Sequence, residues 1–137
     1  MNMKKLLSLS LLALPFFTAQ VNAEPVALAA QTQPAATAVK TIVPITAKTK
    51  EQALAQAQVI ANTADANLAE FRIDLLSFAS DTKQVIALGH ELKKILGNKP
   101  MIATIRTKNE GGQLEISDAD YGKTYQAYLK NPFMDWL

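Results

Sequence analysis

Apolar positions along the chain change period several times, and each change marks an element. Val39 to Ile45 is a β-branched apolar run that reads as a strand. Thr49-x-x-Gln52 has the form of a capping box, and Ala53, Leu54, Ala57, Ile60, Ala61 and Ala64 then recur at helical spacing. Leu68 to Asp74 predicts a second strand, with Leu68, Glu70, Arg72 and Asp74 on one face and Ala69, Phe71 and Ile73 on the other. Asp81 caps a second helix whose stripe is Val85, Leu88, Leu92, Ile95 and Leu96; Gly97 stops it and Pro100 follows. Met101 to Arg106 predicts a third strand, and the Gly111-Gly112 loop comes next. Ser117-x-x-Asp120 opens a third helix carrying Tyr121, Tyr125, Tyr128 and Leu129, which Asn131-Pro132 ends. Phe133 to Leu137 then looks like the start of a fourth strand. The strand starts lie about thirty residues apart, the rhythm of repeated βα units and a parallel sheet, so the expected class is α/β.

The N-terminus follows a different rule. Lys4 and Lys5 precede an apolar run from Leu6 to Phe17, which is short of the roughly 18 to 20 residues that span a bilayer, and Val21-Asn22-Ala23 offers a cleavage site before Glu24. Residues 1–23 therefore read as a secretory signal peptide rather than a stable membrane anchor. The expected location is periplasmic or secreted. Residues 24–38, rich in Ala, Gln, Thr and Pro, read as a flexible linker, which leaves 39–137 as the folded part. Loss of Lys4 and Lys5 with the leader reduces the 14 Lys and Arg to 12, equal to the 12 Asp and Glu. A near-neutral mature chain lacks the broad basic footprint expected of nucleic-acid or anionic-membrane binding. With no cysteine there are no disulfides, thiolate nucleophiles or cysteine metal ligands.

Side chains that do chemistry in βα-repeat folds gather at the carboxyl ends of strands. Glu70, Arg72 and Asp74 end the second predicted strand. Arg106 ends the third, with Glu110 four residues beyond, so acids and arginines share one rim. An ion-pair network at a sheet end is the plainer explanation for Glu70, Arg72 and Asp74, and the second motif at 106–110 weighs against it. Gly111 and Gly112 allow a sharp turn that brings backbone close to a ligand, or serve only as turn residues. Asp118 and Asp120 resemble a metal pair superficially but are simpler as a helix-start feature. Gly122-Lys123-Thr124 lacks the preceding glycine of a phosphate loop. The tyrosines follow packing periodicity, Lys93 and Lys94 read as a polar helix face, and the single histidine, His90, falls off the apolar stripe of its helix and far from any serine triad.

From Lys40 onward the chain resembles the type I 3-dehydroquinate dehydratases, on three blocks of residues. These are Thr41-Ile-Val-Pro-Ile45 leading to Lys48-Thr49, then Glu70-Phe-Arg72-Ile-Asp74, then Arg106-Thr-Lys-Asn-Glu110-Gly-Gly followed by Leu114-Glu-Ile-Ser117. The resemblance implies a (β/α)8 barrel of which the first three βα units and the start of the fourth strand are present. It implies dehydration of 3-dehydroquinate to 3-dehydroshikimate through a lysine imine, without cofactor or metal. Glu70, Arg72 and Arg106 match the family's substrate-binding residues, and Glu110 matches the acid that orients a catalytic histidine. That histidine and the imine-forming lysine belong to later strands, so the 137-residue chain by itself is expected to be inactive. A homodimer is the expected assembly of the full-length form. The leader points toward quinate catabolism, with the shikimate pathway as the other setting. The alternative is a non-catalytic partial barrel that binds a hydroxylated carboxylate or complements a second fragment.

Overall fold

A computed structural model of the chain describes residues 38–137. The leader expected at 1–23 and nearly all of the linker expected at 24–38 lie outside the described residues. The element order is β1 (Ile42–Ile45), α1 (Lys50–Asn62), β2 (Leu68–Arg72), α2 (Thr82–Leu96), β3 (Met101–Thr104) and α3 (Asp118–Lys130). Short 3-10 turns at Ile73–Leu75 and Lys108–Glu110 follow β2 and β3. The strands form one parallel sheet in the order β1-β2-β3, with Ile42 opposite Leu68 and Ala69 opposite Met101.

The helix boundaries follow from local chemistry. Thr49 Oγ1 accepts from Gln52 N at 3.3 Å, and Gln52 Oε1 accepts from Lys48 N at 3.1 Å, so the reciprocal half of the box reaches one residue further back. Asp81 Oδ1 accepts from Gln84 N at 3.0 Å to open α2, and Gly97 closes it with φ 60°. Ser117 Oγ accepts from Asp120 N at 3.2 Å to open α3.

Alternation along the strands divides the sheet into two unlike faces. Ile45, Ala69, Phe71, Met101 and Ala103 point toward the helices and are buried, meeting Ala53, Ala57 and Ile60 of α1 and Val85, Leu88 and Leu92 of α2 in one core. Phe133, just after α3, locks this layer together. Its ring meets those of Phe71, His90 and Tyr128 edge-on, at centroid distances of 6.2, 6.2 and 5.4 Å. It lies so close over Gly89 that a Cβ there would come within 2.2 Å of the ring. Tyr128 is fully buried and its hydroxyl has no partner among the described residues; burial pushes the phenol up to about 12. On the opposite face β2 and β3 present Glu70, Arg72, Ile102 and Thr104, all only partly buried.

Several elements are shorter than their patterns predict. Val39 is 94% exposed, and the first strand begins only at Ile42. The second ends at Arg72, so Asp74 leaves the alternation and sits inside a 3-10 turn. The third ends at Thr104, two residues before Arg106. The fourth strand is reduced to one parallel bridge between Ile102 and Trp136, joined by a bond from Ala103 N to Trp136 O at 2.8 Å. Lys93 is not simply a solvated charge. Its ammonium pairs with Asp135 at 2.6 Å, and Asp135 Oδ2 also accepts from Met101 N at 2.7 Å, which fastens the segment after α3 to the first residue of β3. Lys99 Nζ reaches the carbonyls of Ile60, Thr63 and Ala66 at 2.8, 2.5 and 2.7 Å, placing a cation at the C-terminal end of α1.

Candidate active site

The carboxyl ends of β2 and β3 open onto a cleft of about 450 Å³ lined by Glu70, Arg72, Thr104, Ile105, Arg106 and Glu110. All four predicted site residues therefore line one space. Two carboxylates and two guanidiniums around one cleft can hold hydroxyls and an anion in fixed directions, because carboxylates only accept and guanidinium only donates.

Each side chain is aimed by a different local device. Glu70 and Arg72 are two apart on β2 and share its open face. Thr104 Oγ1 donates to Glu70 Oε1 at 2.8 Å across the β2–β3 pair, which orients the carboxylate. Arg72 is held side-on by Asp74, with Nε donating to Oδ1 at 2.8 Å and Nη2 to Oδ2 at 2.9 Å. Those bonds raise the guanidinium pKa further, so Arg72 is charged at any working pH. The pair that alternation already places on one face persists although the strand ends at Arg72 and Asp74 sits in the 3-10 turn.

Arg106 and Glu110 sit on the loop after β3. Arg106 Nε donates to the Glu110 carbonyl at 3.0 Å. Glu110 Oε2 accepts from Thr107 N at 3.0 Å and from Thr107 Oγ1 at 2.8 Å, closing a capping box over the Lys108–Glu110 turn. The double glycine has a more internal task than approach to a ligand. Gly111 takes the left-handed conformation at φ 83°, and Gly112 passes so near Arg106 that a Cβ would lie 2.1 Å from the Arg106 carbonyl oxygen.

The bonds from Thr107 N and Oγ1, with Arg106 nearby, hold the Glu110 carboxyl below its usual range. A depressed carboxyl favours the ordered turn above the unfolded pKa, and that contribution is lost as pH falls through the lower, folded value. A carbon-detected titration should give a Glu110 midpoint below that of an ordinary glutamate, with the Thr107 amide shift moving at the same pH. Independent midpoints for the two signals would contradict the capping geometry.

Thr104, Ile105 and the bond from Gln113 N to Asp74 are site features that the sequence pattern does not single out. Alternation back from Arg106 to Thr104 is a pattern in the sequence that could have found the threonine. His90 is on α2 against Phe133, on the helix side of the sheet, and does not line the cleft. Asp118 and Asp120 remain helix-start residues, and Asp120 is held below the usual carboxylate range by Ser117 and Lys123. Among the described residues no group of three His, Asp or Glu side chains is placed to hold a metal ion.

Comparison with known proteins identifies the family. A catabolic 3-dehydroquinate dehydratase of Acinetobacter baylyi is 69% identical over 99 residues, covering 72% of this chain and 36% of that protein. The 3-dehydroquinate dehydratase of Enterococcus faecalis is 36% identical over 98 residues, covering 72% of this chain and 38% of the relative. The solved Enterococcus faecalis structure superposes with a TM-score of 0.66 at 35% identity, over 70% of this chain and 40% of that one. A type I 3-dehydroquinate dehydratase of Clostridium difficile, solved with covalently modified comenic acid, gives 0.66 at 25% identity over 70% and 37%. The chain thus spans well under half the length of these relatives. Residues 41–137 match the family described as type I 3-dehydroquinase, and the chain belongs to that family.

Proposed function

We propose that this chain provides the substrate-holding side of a 3-dehydroquinate dehydratase, a hydro-lyase that converts 3-dehydroquinate to 3-dehydroshikimate. The observation that carries this reading is the convergence of Glu70, Arg72, Arg106 and Glu110 on one cleft at the strand ends. Glu70 accepts from ring hydroxyls of the substrate, the guanidiniums of Arg72 and Arg106 donate to its oxygens, and the free oxygen of Glu110 receives a proton donor from across the cleft. Dehydration proceeds by elimination from an imine, which draws electrons from the neighbouring carbon, with a histidine moving the proton.

The cleft lining described here contains neither lysine nor histidine, and His90 is on the other side of the sheet. This favours the second reading for the 137-residue polypeptide taken alone: it binds the hydroxy acid without turning it over. The complete fold is then a (β/α)8 barrel, homodimeric in its full-length form, to which these units contribute the first part. A leader cleaved near Ala23 directs the protein to the periplasm, where it serves quinate catabolism; the catabolic character named for the Acinetobacter baylyi relative supports that role.

Calorimetric titration of the chain with 3-dehydroquinate should detect binding. Arg106→Ala should weaken it roughly tenfold or more, the scale of a charge-assisted contact. Borohydride treatment of the same mixture should leave the chain unmodified. A stoichiometric trapped adduct would overturn the binding-only reading, and equal affinity of the Arg106→Ala chain would remove the site assignment.

A further inference from the structure

Asp74 is the buried charged residue of the described chain, 3% exposed, and its side chain is fully covered. Its carboxylate accepts three hydrogen bonds. Two come from Arg72, and the third comes from the backbone N–H of Gln113, which donates to Oδ2 at 3.1 Å. A buried carboxylate needs partners, but a bidentate arginine already supplies the charge it requires. The third contact crosses from the end of β2 to the loop after β3. It lands next to Gly112, whose backbone is pressed against Arg106 and whose N–H donates to Thr107 O at 2.8 Å.

We propose that Asp74 is a positioning residue that couples the two arginines of the cleft, holding the plane of Arg72 with one set of bonds and the Arg106–Gly112 loop with the other. The side-on grip occupies Nε and Nη2 of Arg72 and leaves Nη1 as the unclaimed end of the fork. Gln113 fixes the far end of the turn that carries Arg106 and Glu110, so neither guanidinium moves without straining the other's support. The inference rests on reading the cleft as a hydroxy-acid site, and its structural half can be measured without substrate.

Asp74→Asn is the informative change. An amide offers one acceptor oxygen where three donors converge, so either orientation of the side chain points its NH₂ at another N–H. In the wild-type chain, nitrogen-15 spectra should show a slowly exchanging Arg72 Nε–H and a Gln113 amide protected from exchange although the Gln113 residue is exposed. In Asp74→Asn both should exchange roughly tenfold faster or more, and 3-dehydroquinate affinity should fall by about the same factor. Combining Asp74→Asn with Arg72→Ala should weaken binding by much less than the product of the single effects, because both remove one coupled unit.

Wild-type affinity in Asp74→Asn, or multiplicative losses in the double variant, would overturn the proposal. Should Asp74→Asn fail to fold, the wild-type chain still decides: a Gln113 amide exchanging like a free backbone amide removes the loop contact and the coupling with it. If the wild-type chain does not bind 3-dehydroquinate, the substrate reading fails. In that case loss of Gln113 protection in Asp74→Asn supports the coupling, and retention refutes it.

Discussion

Replacing Gly112 by alanine is expected to collapse the Arg106 side of the cleft and to lower stability by about 3 kcal/mol, the upper range for forcing atoms into filled space. The new Cβ would lie 2.1 Å from the Arg106 carbonyl oxygen, 2.6 Å from its carbonyl carbon and 2.9 Å from its Cβ. None of these is the far end of a flexible side chain. The strand-like bond from Lys108 N to Leu114 O at 2.8 Å and the bond from Gly112 N to Thr107 O at 2.8 Å prevent the backbone from simply moving aside. Denaturant unfolding should show the loss, and 3-dehydroquinate binding should fall with it. Gly111→Ala makes the contrast: it has room, with Arg106 Nη2 at 3.8 Å as its nearest neighbour, and meets only the left-handed backbone penalty of roughly 1 kcal/mol. A Gly112→Ala chain as stable as the Gly111→Ala chain would refute the close approach.

The second large effect belongs to the core. Phe133→Ala should cost about 3–5 kcal/mol, because it removes a buried ring that touches β2 through Phe71, α2 through Gly89 and His90, and α3 through Tyr128. The glycine at 89 has no side chain to fill the space left behind. For a domain of this size the melting temperature should drop by roughly 10 °C or more, read by calorimetry. A drop of only a degree or two would mean that the helical layer holds without Phe133.

Much of this was legible from the chain, for identifiable reasons. Thr49, Asp81, Gly97 and Ser117 mark helix ends through bonds that span three or four residues, so their spacing in sequence is enough to find them. Alternation placed Glu70 and Arg72 together for the same reason. Failures occurred where tertiary contacts overrode a local pattern. Asp74 reads as a strand residue, but the chain turns after Arg72, and the carboxylate meets Gln113 N, 39 residues away. Lys93 reads as a polar surface residue, but its partner, Asp135, lies 42 positions later. Residues 106 and 110 could be assigned to one rim from the βα rhythm, and the return of the Glu110 carboxylate onto Thr107 follows the Thr-x-x-Glu spacing of a capping box, a signal that the strand-end pattern overshadowed.

The Asp135 contacts have a consequence for how the sheet grows. Its amide donates to Met101 O at 2.9 Å while its carboxylate takes Met101 N and the Lys93 ammonium, so three attachments align residues 133–137 beside β3 where only one ladder bridge exists. The aspartate acts as a gauge of register: a slip by one position, which would turn every side chain to the wrong face, would break its bonds to Met101 and Lys93 together.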